Sequence, residues 1–152
     1  MKKTFVIVLG IIIAAFIYFG EKRSFYKLGA DISITVWKTY GGTCYIIPRK
    51  YFGILKPFNN YIKTSNVSIV HLYTTTSLPA TIIVLSEGKS KIHEGNNAKY
   101  KIIDYNQNES KMDSLLYQSS SERDPKLYAN VNLLVLFLKE NFAEDENRKI
   151  YE

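Results

Sequence analysis

Between Asp31 and Thr39 apolar residues alternate with polar ones, Ile32, Ile34 and Val36 against Ser33 and Thr35. A period of two marks a strand with one buried face. Gly41 and Gly42 follow, a pair suited to a tight hairpin turn, and "TCYII" (residues 43–47) predicts the partner strand, stopped by Pro48. Residues 67–73, 80–86 and 100–105 predict further strands, with 80–86 apolar on both faces and therefore central. The links between them are rich in turn formers.

The pattern changes in the last third. Asp124 and Pro125 suit an N-cap and first helical position, and Leu127, Val131, Leu134, Val135, Leu138 and Phe142 recur at helical spacing. Leu133, Leu136 and Phe137 widen the stripe, which predicts one long C-terminal helix buried on more than half its circumference. A membrane span there is excluded by length: the uncharged stretch from Leu127 to Leu138 has 12 residues, against roughly 20 needed. The acidic end "NFAEDENRKIYE" is expected to fray, and the polar segment 106–123 is left open between a short helix and an edge strand.

At the other end, 17 uncharged residues from Thr4 to Gly20 lie between Lys2–Lys3 and the charged group Glu21, Lys22 and Arg23. As a helix this run reaches about 25 Å, the short end of what crosses a bilayer. Tyr18, Phe19, Phe25 and Tyr26 extend the fit as an interfacial belt. A cleaved secretory signal is the competing reading. The expectation is thus an α+β fold, a small mostly antiparallel sheet with one long C-terminal helix packed on it, preceded by a transmembrane or signal-anchor helix. Residues 1–28 form the anchor and residues 29–152 one globular domain. The protein is expected in the cytoplasmic membrane, single-pass through residues 4–20, with its domain extracytoplasmic (periplasmic), or secreted if the segment is cleaved.

Charge narrows the partners. The pI of about 9.3 and formal net charge of +6 suggest a nucleic-acid binder, yet residues 1–30 alone carry five Lys/Arg and one Glu. In the rest, residues 31–101 hold nine basic and three acidic groups, and residues 102–152 hold six and ten. That is a dipolar domain, and nucleic acid is not expected as a partner.

Candidate chemistry is sparse. One cysteine, Cys44, excludes an intramolecular disulfide and a two-Cys, two-His zinc site. Cys44 with His71 or His93 is the one nucleophile pairing available, but Cys44 and His71 lie within apolar strands and His93 in a loop beside Glu94. Residues 32–86 contain no Asp or Glu at all, so paired carboxylates are missing from the strand region. No phosphate loop, nucleophile elbow or zinc-protease motif occurs. No cofactor and no metal are expected.

What remains is residues 46–66, "IIPRKYFGILKPFNNYIKTSN", where aromatic and basic residues interleave without an acid. Arg49, Lys50, Tyr51, Phe52, Lys56, Phe58, Tyr61 and Lys63 are the candidate binding residues, since interface centres favour aromatics and Arg. The function expected is a membrane-anchored, non-catalytic binding or accessory protein contacting another protein through this surface. The alternatives are a domain resting on anionic lipid and a small enzyme using Cys44 or a histidine.

Overall fold

The computed structural model describes residues 6–12, 15, 21–75, 80–95, 100–105 and 131–152. Among them the chain is a β-sandwich. Its first sheet holds β1 (Lys22–Leu28), β2 (Ile32–Lys38), β3 (Thr43–Ile47), β4 (Tyr61–Ser65) and β7 (Lys91–His93), in the spatial order β1-β2-β3-β4-β7. The second holds β5 (Ile69–Thr75), β6 (Ala80–Ser86), β8 (Tyr100–Asp104), β9 (Val131–Phe137), β10 (Phe142–Asp145) and β11 (Ile150–Tyr151), ordered β11-β10-β9-β5-β6-β8. Every pairing is antiparallel except β6 with β8. That exception follows from connectivity: after β6 the chain crosses to add β7 to the first sheet, then returns as β8.

Alternation places the core. Tyr26, Leu28, Ile34, Val36, Cys44, Ile46 and Ile62 point inward from the first sheet and meet Val70, Leu72, Ile82, Val84, Leu134 and Leu136 of the second. Burial of each such aliphatic side chain contributes about 1.5–3 kcal/mol, and the two inner faces together form one apolar layer. The glycine turn expected after β2 forms: the Gly42 N–H donates to the Thr39 carbonyl at 3.2 Å, and Gly42 takes φ 71°.

Two expectations are corrected. The long C-terminal helix does not form over residues 131–142, which instead make β9, a turn and β10, with Phe137 paired to Phe142. Leu134, Leu136 and Leu138 are buried while Leu133, Val135 and Phe137 are half-buried on the other face. With both faces apolar, a helical and a period-two reading select equally good subsets. The fold is mostly β, and α+β is overturned. Asp124, Pro125, Leu127 and the segment 106–123 lie outside the described residues. The acidic end, expected to fray, pairs as β10 and β11.

The second correction concerns the N-terminus. Residues 6–12 and 15 are helical. Among the described residues no helix is long and apolar enough to cross a membrane. The single-pass anchor expected in the cytoplasmic membrane is therefore not supported. Part of the 4–20 run, Tyr18 and Phe19 included, lies outside the described residues. Of the other two belt aromatics, Tyr26 is in the core and Phe25 stands on the outer face of β1.

Candidate functional site

Register carries two cross-strand rows over the outer face of the first sheet. One runs Arg23, Trp37, Tyr45, Lys63, Lys91; the next holds the pairs Phe25–Thr35–Ile47 and Tyr61–His93. Aromatic rings at neighbouring positions make contact, as cross-strand pairs do. Trp37 lies 5.6 Å from Tyr45, Tyr45 lies 5.6 Å from Tyr61, and Tyr61 stacks on His93 at 4.4 Å. Arg23 sits over the Trp37 ring at 4.4 Å, a cation–π arrangement. The Trp37 indole N–H donates to Glu21 Oε2 at 2.8 Å. Trp37, Ile47 and Tyr61 form a second small cluster on this face, apart from the main core.

The segment joining β3 to β4, residues 48–60, folds over this platform and is pinned from below. Thr35, outward-facing yet 0% exposed, donates its hydroxyl to the Arg49 carbonyl at 2.6 Å and accepts the Tyr51 N–H at 3.0 Å. Arg23 Nη2 donates to the Gly53 carbonyl at 2.8 Å. The Tyr51 hydroxyl donates to the Leu55 carbonyl and its ring lies 6.2 Å from Trp37. Pro48, Pro57 and Asn60 are buried, Asn60 at φ 57° where it feeds β4.

What this loop turns outward is apolar. Phe52 is 70% exposed, Ile54 and Leu55 75% each, and Phe58 98%. Phe52 leans on Phe25 of β1 at 5.1 Å, which is itself 44% exposed. Arg49, Lys50, Lys56 and Lys63 are exposed in the same region, with Arg49 5.4 Å above the Tyr51 ring. Residues that would ordinarily be solvated anchor the loop, and residues that would ordinarily be buried face out. Exposed large apolar side chains among basic ones are the composition of a contact surface.

The eight candidate residues therefore share one region but divide by role. Tyr61 is structural, 4% exposed within the aromatic cluster. Tyr51 is half-buried and holds the loop. Phe52 and Phe58 are presented, with Arg49, Lys50, Lys56 and Lys63 around them. Sequence reasoning missed Phe25, Ile54 and Leu55 as part of the patch, and Trp37, Tyr45 and His93 as its support. The alternation of β2 and β3 carried a signal for Trp37 and Tyr45, as outward positions of strands whose other face is core.

The groups considered for catalysis occupy three different layers. Cys44 is buried in the core, and burial pushes its thiol up to about 12 against the opposing pull of Lys38. His71 sits between Val70 and Leu72, which face the core, and so faces out of the second sheet beside Tyr73. His93 lies in β7 against Tyr61, in place of the solvated loop position expected. Burial lowers its pKa, and Lys91, Lys56 and Lys63 push the same way. Among the described residues no group of three or more His, Cys, Asp or Glu could hold a metal ion. In comparisons with known proteins, no family model, curated protein or solved structure matches this chain.

Proposed function

We propose that this chain is a non-catalytic binding protein that contacts a partner protein of acidic surface through residues 49–63. One observation carries the reading: Phe52, Ile54, Leu55 and Phe58 are 70–98% exposed on a loop whose backbone is held by Thr35, Arg23 and Tyr51. A preorganised apolar patch binds without first ordering its own loop, which lowers the entropic cost of association. Its basic rim, in a region free of Asp and Glu from residue 32 to residue 86, favours an acidic partner and raises the encounter rate. The separation of Cys44, His71 and His93 supports a binding role over a catalytic one.

The test places a photo-crosslinking amino acid at Phe58 and, as a control, at Val67, in the β4–β5 turn at the opposite end of the first sheet. The expected result is an adduct to one protein from position 58 and none from position 67. The purified partner then binds the chain, and Phe52→Ser weakens that binding at least about tenfold, as for an interface anchor. Adducts to lipid alone, or equal adducts from both positions, overturn the proposal.

A further inference from the structure

Among the described residues the sandwich has four edge strands, and they are not equally guarded. β11 has two residues, β7 three and β8 five, whereas β1 has seven. Proteins commonly keep exposed edges short, because an open row of N–H and C=O groups is a template for another strand. β1 ends the first sheet, and among the described residues nothing pairs with its outer side.

This edge is continuous with the apolar patch. The outward row of β1 is Arg23, Phe25 and Lys27; Phe25 touches Phe52, and Arg23 holds the Gly53 carbonyl. Lys22 and Lys27 are exposed, and among the described residues no carboxylate lies within ion-pair distance of Lys27. Arg23 is 4.0 Å from Glu21, so its charge is already partly matched. "KRSFYKL" contains three basic residues and no acid. Two copies of β1 laid edge to edge would set like charges against each other, which disfavours self-pairing and favours an acidic strand.

We infer that β1 is a receptor edge: an extended segment of the partner, acidic with an aromatic residue at its centre, adds to the first sheet as a sixth strand. The inference rests on the binding reading given above and names how the partner engages. Main-chain hydrogen bonds along β1 supply affinity, as in other strand additions. Side chains on the segment's outer face supply selectivity, an aromatic residue on Phe25 and Phe52 and a carboxylate at Lys27. The patch of Phe52, Ile54 and Leu55 forms the wall against which the added strand lies.

The probe is the peptide acetyl-Thr-Glu-Thr-Phe-Thr-Glu-Thr-amide, palindromic so that either strand direction presents the same side chains, added to the full chain. Amide hydrogen exchange is read at residues 22–28. Strand addition slows alternate amides of β1, those not already bonded to β2, by about tenfold or more. Of two peptides N-methylated on the two alternate sets of amides, one loses binding and the other keeps it. Lys27→Glu weakens the peptide about fivefold or more, and replacing its Glu residues by Lys restores binding. Binding that leaves the β1 amides unchanged yet is lost in Phe52→Ser overturns strand addition while the patch reading stands. No binding at about 1 mM peptide overturns it as well. Failure of the binding reading itself is seen separately, in the crosslinks from position 58.

Discussion

The Tyr61 ring lies flat on the His93 imidazole, their centroids 4.4 Å apart and their planes inclined by 12°. The two are direct cross-strand partners in β4 and β7, so the stack fastens a three-residue edge strand to the sheet. Lys56, Lys63 and Lys91 all act on His93. The end of the aromatic platform is therefore a place where positive charge collects around a neutral ring.

That neutrality has a pH signature. Burial first, then the three lysines, lowers the His93 pKa below its ordinary 6.5. His71 is lowered as well, by burial against the opposing pull of Glu87. A histidine of this kind binds its proton more readily in the unfolded chain, so its stabilising contribution is complete above about pH 6.5 and is lost as pH falls from there through the lowered folded-state value. The urea midpoint is expected to fall between about pH 7.5 and pH 5. His93→Phe, which keeps a ring on Tyr61, should show a shallower fall. An identical slope in the variant would remove His93 from the account.

Thr35 supports the loop through one hydroxyl that both donates and accepts. Thr35→Val preserves the shape and removes both bonds, leaving the Arg49 carbonyl and Tyr51 N–H without that partner, at a cost of about 1–3 kcal/mol. Exchange of the Tyr51 amide is expected to quicken while the amides of Leu72 and Leu134 in the core keep their protection. Uniform loss of protection across both sheets would show that Thr35 serves the whole fold and not the loop.

Five of the eleven described strands were legible in the chain, and β9 and β1 were missed for different reasons. Strands β2, β3, β5, β6 and β8 alternate or run apolar between turn formers, and the sequence marks each. In β9 the inner Leu134 and Leu136 and the outer Leu133, Val135 and Phe137 are all apolar, so no periodicity distinguishes strand from helix. Partnership with β5 and β10 decides, and that is tertiary information. β1 alternates as well, Tyr26 and Leu28 inward against Phe25 and Lys27 outward, but it adjoins the apolar N-terminal run and in sequence reads as its flank. The candidate surface was legible where it is local. Phe52 and Phe58 stand out among six basic and aromatic neighbours in residues 46–66, whereas the alignment of Trp37, Tyr45, Tyr61 and His93 depends on the register of four strands.

Cys44 gives a prediction of inertness. Its thiol, pushed up to about 12 by burial, is a thiolate at negligible population near pH 8, and the side chain is 0% exposed. Labelling by an aromatic disulfide reagent is expected to require unfolding, with a rate that rises with urea alongside the unfolding transition. Cys44→Ala should cost about 1–2 kcal/mol through the small cavity it leaves and leave binding at the loop unchanged. Rapid labelling of the native chain at pH 8 would contradict the burial described.

The turn between β9 and β10 separates a hairpin from a helix in one comparison. Asn141 has φ 65°, its N–H donates to the Phe137 carbonyl at 3.0 Å, and its side-chain oxygen accepts from Lys38 Nζ at 2.6 Å. Asn141→Gly and Asn141→Ala both delete the contact with Lys38, so their difference isolates the backbone. In the left-handed conformation a Cβ is unfavourable by about 1–2 kcal/mol, and the glycine variant is expected to be the more stable of the two by about that much. In a helix the order reverses, because glycine is less favourable than alanine by about 1 kcal/mol. Denaturation of the two variants side by side reads the sign directly. A more stable Asn141→Ala would restore the helix that periodicity alone suggests and dismantle the β9–β10 edge of the second sheet.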